Sequence, residues 1–258
     1  MSLNDRQEEI LKSLYQFGAV EVEALAYEWS VTTQTVRRDL TELCASGLAL
    51  RTHGGAKRMN TKAVVAYADR RLKHTLAKRF IAEAASNIIP NGASLTLNIG
   101  TTTEMVAEAL RFHKDLTVVS NNINIVQILR ASRLKSLVLI GGEIRLSDGA
   151  IIGEDAIKAI SNFKVDFAII GASSIEPDGS VLDFDQREVA VSRAILENAR
   201  HKILVADISK FDVSAHVKIC DAKDLDYVIL NAPPPIGFKA VIQSHPTKLI
   251  IAGEKNAS

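Results

Sequence analysis

Seven short apolar runs, most of them rich in β-branched residues, recur in the last two thirds of the chain. They are 93–99 (ASLTLNI), 116–119 (LTVV), 136–140 (SLVLI), 165–170 (VDFAII), 201–206 (HKILVA), 225–230 (LDYVIL) and 248–252 (KLIIA). Helical stretches fit between them near 103–112, 122–132, 154–162 and 186–199, and another near 75–89 precedes the first run. Strands separated by helices of roughly 10–15 residues need crossover connections rather than tight turns. The pattern therefore predicts an α/β domain with a mostly parallel sheet and helices on both faces. No repeat of about 20–50 residues explains the alternation better.

In such sheets, ligands settle beyond the carboxyl ends of the strands. The first exit reads Asn98-Ile99-Gly100-Thr101-Thr102-Thr103-Glu104 and opens a helix. A glycine, three hydroxyls and free helix N–H groups make an anion cradle suited to phosphate. It is neither a Walker A loop nor a GxGxxG turn, and an ordinary threonine-capped helix has the same residues. The second exit gives Ser120, Asn121 and Asn122; the third gives Gly141, Gly142, Glu143 and Arg145; the fourth gives Gly171-Ala172-Ser173-Ser174. Asp183, Asp185 and Glu188 stand at the start of a later helix, and Asp207-Ile208-Ser209-Lys210 follows another strand. Carboxylates accept from hydroxyls and lysine pairs with phosphate, so the inventory suits a sugar-like phosphate. The same groups also serve proton transfer, which keeps a sugar-phosphate isomerase open as an alternative. The expected effector set is Gly100, Thr101, Thr102, Thr103, Ser120, Asn121, Asn122, Gly141, Gly142, Glu143, Arg145, Asp185, Glu188 and Lys210.

The first 58 residues read as a separate module. Ile10, Leu11, Leu14 and Phe17 predict an amphipathic helix over 3–17 that ends at Gly18. Val22, Leu25, Ala26 and Trp29 predict a shorter one over 21–29. Thr32 is a good N-cap for a third helix, ended by Gly47, with Val36, Leu40 and Leu43 on one face. That leaves Gln34, Arg37, Arg38 and Thr41 on the other. Two short helices, a tight turn and a helix presenting Gln, Arg and Thr form a helix-turn-helix pattern. Arg grips guanine bidentately and Gln does so with adenine. Residues 48–58 alternate toward a glycine turn and read as a β-hairpin wing. The residues expected to meet double-stranded DNA are Thr32, Thr33, Gln34, Thr35, Arg37, Arg38 and Thr41 of the helix, and Arg51, His53, Lys57 and Arg58 of the wing.

Charge supports this division. The chain of 258 residues has a net charge of +1, too balanced to bind polyanions by bulk charge. Locally, Arg37, Arg38, Arg51, Lys57 and Arg58 against Asp39 and Glu42 give 33–58 a net of +3. Residues 59–82 hold Lys62, Arg70, Arg71, Lys73, Lys78 and Arg79 against Asp69, a net of +5. Few apolar positions in 59–75 predict a basic linker there, with the α/β domain over 76–252. Two cysteines, Cys44 and Cys220, make no disulfide framework and suit reduced thiols in the cytoplasm. The six histidines show no metal-ligand spacing, so neither metal nor cofactor is expected. No stretch approaches the ~18 apolar residues of a membrane span.

The segment VTTQTVRRDLTELCASGLALRTHGGA closely resembles the N-terminal module of the DeoR family of bacterial transcriptional repressors. Glu21 stands where the family usually has Ser or Thr, and Thr33 where it often has Pro. LNIGTTTE, SNNINI, GGEIRLSDGAIIGE, LDFDQREVAVSRAILENARHKILVADISKF and NAPPP resemble the family's sensor domain, with Asp212 where Gly is common. The resemblance implies an isomerase- and coenzyme A transferase-like sensor fold and no catalytic residues. It also implies a repressor that leaves its operator on binding a small phosphorylated effector. sn-Glycerol 3-phosphate is the effector expected, another sugar phosphate the alternative. A single small module reads one short half-site, so a homodimer or homotetramer is expected.

Overall fold

A computed structural model describes residues 3–46, 48–57 and 62–253. The chain divides into two compact units, Met1–Lys73 and His74–Ser258.

The first unit contains α1 (Asp5–Phe17), β1 (Ala19–Glu21), α2 (Val22–Glu28), α3 (Thr33–Ala45), β2 (Leu50–Arg51), β3 (Gly55–Lys57) and α4 (Lys62–Leu72). Asn4 and Gln7 cap α1 reciprocally, each side chain accepting from the other's backbone N–H. The apolar stripes of the three helices meet: Ile10, Leu11 and Leu14 with Leu25, Val36, Leu40 and Leu43, all nearly inaccessible. Burying each such side chain contributes roughly 1.5–3 kcal/mol. The wing pairs as expected, and β1 adds a third strand in the order β1-β3-β2. The expected linker at 59–75 contains α4 instead. Its Tyr67 and Ala68 are buried in the core of this unit, with Leu72 packed against it. A short apolar stripe is enough to dock a helix that also carries Lys62, Asp69, Arg70 and Arg71.

The second unit contains α5 (Thr75–Ser86), β4 (Ser94–Leu97), α6 (Thr101–Leu110), β5 (Thr117–Ser120), α7 (Ile123–Leu129) and β6 (Ser136–Leu139). There follow β7 (Glu143–Arg145), β8 (Ala150–Ile152), α8 (Glu154–Ile160), β9 (Val165–Ile170), β10 (Ser174–Ile175), β11 (Ser180–Asp183) and α9 (Gln186–Glu197). The unit closes with β12 (Ala199–Ala206), β13 (Val217–Asp221), β14 (Tyr227–Leu230), α10 (Ile236–Gln243) and β15 (Lys248–Ile251). All seven apolar runs enter one parallel sheet, ordered β15-β14-β12-β9-β4-β5-β6. The two-residue period of a strand divides the core. Ile169, Ile203 and Val205 pack with α5, α6 and α7, while Ala168, Ile170, Leu204 and Ala206 pack with α8, α9 and α10. The antiparallel β7–β8 hairpin and the β10-β11-β13 sheet have no counterpart in the sequence reading. Their strands are two to five residues long, too short to show a period.

From β4 the chain runs outward to β5 and β6 on one side, then returns to β9 on the other and continues to β12, β14 and β15. The strand order therefore reverses between β4 and β9. Such a reversal opens a crevice at the carboxyl ends of the two strands. Among the described residues, no helix is long and apolar enough to cross a membrane.

Candidate functional site

In the first unit, Thr32 caps α3 by accepting from Thr35 N–H at 3.2 Å. Gln34, Arg37, Arg38 and Thr41 are exposed on α3, and Arg51, His53 and Lys57 on the wing; Thr33 and Thr35 are half-buried. Arg37 shares a cleft with Arg51 and His53, and Arg38 shares another with Thr32, Gln34 and Thr35. The two arginines thus line different clefts beside one helix. Thr41 donates back to the Arg37 carbonyl at 2.7 Å. Arg58 and Gly47 lie outside the described residues. The helix is clasped from behind: Arg6 Nε meets the buried Asp39 carboxylate at 2.5 Å, and Gln7 Nε2 donates to Glu42 at 2.6 Å. Asp39 is therefore a positioning residue for α3, one that the reading of the exposed face missed.

In the second unit, the crevice is built around the start of α6. Gly100 adopts φ 134°, a backbone that favours glycine, and turns the chain from β4 into the helix. The N–H groups of Thr101, Thr102 and Thr103 lie ahead of the helix's first backbone bond, from Glu104 N to the Gly100 carbonyl. Thr103 Oγ1 donates to the Gly100 carbonyl at 2.7 Å, fixing the turn. Lys78 of α5, 3% exposed, donates to Thr101 Oγ1 at 2.9 Å.

A chain of hydrogen bonds borders this turn. Asn98 Nδ2 donates to Ser192 Oγ on α9, and Ser192 to the Glu188 carbonyl. Glu188 pairs with Arg145, and Arg145 with Asp148. The Asp148 carbonyl accepts from Asn124, whose amide also reaches Glu104 in the first turn of α6. Asn122 donates to the same Glu104 oxygen and caps α7. Ser120 donates to the Leu97 carbonyl and accepts from Asn122 N–H. The buried amide oxygens at these exits, Asn98 Oδ1 and Asn121 Oδ1, receive no hydrogen bond from any described residue, and neither does the buried carboxylate oxygen Glu104 Oε2. An unmet buried acceptor costs about 1–3 kcal/mol, which a ligand hydroxyl would return.

The electrostatic centre is Arg145. Its guanidinium meets Asp148 at 2.7 Å, Glu188 at 2.8 Å and Asp185 at 3.2 Å. Burial, reinforced by Asp183 and opposed by Arg145, pushes Glu188 up to about 7. Arg187 bridges Asp185 and the exposed Glu143.

The expected residues thus fall into groups. Gly100 to Thr103, Ser120 to Asn122, Arg145, Asp185 and Glu188 border one region. Gly141 and Gly142 are exposed beyond β6, and Lys210 is half-buried on a 3-10 turn, Ile208–Asp212, beyond β12. Ser120 and Asn122 are engaged in holding adjacent backbone, a role that the sequence reading did not give them. Lys78, Asn124, Asp148 and Ser192 were missed, while Asn98 and Glu104 were read at the first exit but left out of the effector set. For Lys78 a signal existed: it shares the stripe of Ile81, Ala82 and Ala85 at helical spacing, a charge on a buried face.

Comparison with known proteins covers both units. Residues 6–62 match the DeoR-like helix-turn-helix domain, and residues 73–232 match the DeoR C terminal sensor domain. The chain is 42% identical over 249 residues to the glycerol-3-phosphate regulon repressor of Escherichia coli (strain K12), spanning 96% of this chain and 99% of that one. It is 41% identical over 250 residues to the glycerol-3-phosphate regulon repressor of Haemophilus influenzae, spanning 97% of each. Ribose 5 phosphate isomerase A from Neisseria gonorrhoeae matches over 53% of each chain at 18% identity, with a TM-score of 0.37 too low to weigh.

Proposed function

This chain belongs to the DeoR family of transcriptional repressors, and on that premise we propose that it holds an operator through α3 and the wing and releases it on binding sn-glycerol 3-phosphate. It thereby controls glycerol and glycerol-3-phosphate metabolism from the cytoplasm, as a homodimer or homotetramer that pairs DNA half-sites. Its role is binding rather than catalysis.

The observation that carries this reading is the start of α6 at the reversal of strand order, where the N–H groups of Thr101, Thr102 and Thr103 precede the first helical bond and Lys78 reaches Thr101 Oγ1. A phosphate fits there by charge and hydrogen bonding. The unmet acceptors of Asn98 and Asn121 take the hydroxyls of a short polyol. The names of the Escherichia coli and Haemophilus influenzae relatives support glycerol 3-phosphate as that ligand. Release requires that the ligand prefer the form that does not bind DNA. Tenfold weaker operator binding needs only about 1.4 kcal/mol of such preference.

The test is a pair of variants, Thr102→Ala and Asn121→Ala. Both should bind operator like the wild type yet require at least tenfold more sn-glycerol 3-phosphate to let go. Release at wild-type concentrations would place the effector elsewhere. Loss of operator binding altogether would make these residues structural.

A further inference from the structure

We propose that Lys78 is the cation that holds the effector's phosphate at the start of α6. The proposal rests on the reading of that crevice as the effector site, and adds to it a residue from α5.

Three cations compete for the role. Arg145 already holds three carboxylates at 2.7 to 3.2 Å, which a phosphate would have to displace. Lys210 sits beyond β12, two strand positions from β4. Lys78 Nζ is already bonded to the hydroxyl of Thr101, the first residue of α6, at 2.9 Å. A phosphate oxygen that meets the N–H groups of Thr101 to Thr103 lies within reach of the same ammonium.

The local electrostatics favour this choice. The start of α6 carries the positive end of a helix dipole, about half a unit charge. Lys78, 3% exposed, adds an ammonium of the same sign, weakly screened by water. A bound dianion is attracted by both. Glu104, the acid of the first turn, has Oε1 engaged by Asn122 and Asn124. The unmet Asn98 Oδ1, on a side chain 2% exposed, stands two residues before Gly100 and supplies an acceptor for a ligand hydroxyl.

The position of Lys78 in the chain ties the phosphate to the module junction. Lys78 N–H donates to the His74 carbonyl at 3.0 Å, in the first turn of α5. His74 is the first residue of the second unit and has φ 57°. The preceding helix, α4, buries Tyr67 and Ala68 in the first unit. Lys78 thus lies four residues past the point where the chain enters the second unit.

Heteronuclear NMR of the uniformly 15N-labelled full-length protein tests the proposal, with Lys78→Arg assigning the Lys78 Nζ signal. Inorganic phosphate and sn-glycerol 3-phosphate, each titrated separately, should shift that signal with the same Kd as the Thr102 amide. Lys78→Met should bind both ligands about 10–100-fold more weakly, and Lys78→Arg within about tenfold of wild type. A still Lys78 signal beside a moving Thr102 amide overturns the proposal and leaves the crevice reading standing. Wild-type affinity in Lys78→Met does the same. If neither signal responds at millimolar ligand, the crevice reading falls and takes the proposal with it. Should Lys78→Met fail to fold, the wild-type titration decides alone.

Discussion

Replacing Arg145 with leucine removes the one cation shared by Asp148, Asp185 and Glu188. Those side chains are 9%, 26% and 15% exposed, so water can compensate only in part. Breaking a buried charged set by deleting one partner costs about 3–5 kcal/mol, and the partial exposure here points to the lower end. The cost should depend on pH, with a definite sign. Glu188 titrates at about 7 with Arg145 present, and higher without it. At pH 7 the wild-type Glu188 is still about half protonated in the folded state, so its own pH dependence fades only above that. In the variant the folded state keeps a proton that the unfolded state has lost, and stability falls by about 1.4 kcal/mol per pH unit. Between pH 7 and 8.5 the gap should widen by up to about 1.5 kcal/mol. Urea denaturation followed by circular dichroism measures it, while the single tryptophan, Trp29, reports the first unit separately by fluorescence. The circular dichroism transition should move and the fluorescence transition should not. Arg145→Leu combined with Glu188→Leu should recover at least half the loss. A pH-independent loss under ~1 kcal/mol would refute the reasoning.

Three further outcomes are expected. Gly55→Ala puts a methyl group 1.9 Å from the Val20 carbonyl oxygen, against backbone that cannot swing away, so β3 must leave β1. Overpacking and lost strand bonds should cost the first unit about 2–4 kcal/mol and abolish operator binding, read by Trp29 fluorescence and gel shift. Arg37→Ala and Arg38→Ala, on exposed side chains, should leave folding intact. Each should lose roughly 1–3 kcal/mol of operator affinity if it reads a base, or about one unit of salt slope if it meets phosphate, as anisotropy across salt concentrations will tell. Glu188→Gln should flatten the pH dependence of stability. The wild-type carboxyl, raised from its ordinary value to about 7, favours the fold at low pH and loses up to about 3 kcal/mol of that as pH rises to 7. Urea titrations from pH 5 to 8 will show whether the two proteins converge at the acid end.

What was legible in the sequence follows from what has a period. Seven strands alternate with helices, and all seven found their sheet, because a buried parallel strand must be apolar along its length. Helices α1, α2 and α3 of the first unit were legible from their own apolar period, together with the Thr32 cap. The β7–β8 hairpin, β10 and β11 were not, since two to four residues show no period. Helix α4 was hidden by its charges: Tyr67 and Ala68 dock it, while the basic residues around them read as a linker. At the crevice, the strand exits pointed to Gly100, Thr101 and Asn121 because glycine, hydroxyl and amide groups interrupt apolar runs. They did not point to Lys78 or Asp148, which arrive from α5 and from the β7–β8 turn. Such contacts are made by tertiary folding, and one chain read in order does not display them. Arg145 was foreseen as a residue closing on the effector, but not as the partner of three carboxylates.

The central claim is that a phosphorylated polyol bound by the second unit loosens the first from DNA. The most direct measurement is fluorescence anisotropy of the wild-type protein on its operator during titration with sn-glycerol 3-phosphate, with glycerol, ribose 5-phosphate and inorganic phosphate run in parallel. The account predicts saturable release by sn-glycerol 3-phosphate, at a concentration at least tenfold below any of the others, and none by glycerol. An operator complex that stays intact at saturating sn-glycerol 3-phosphate, or that glycerol dissolves equally well, would contradict it.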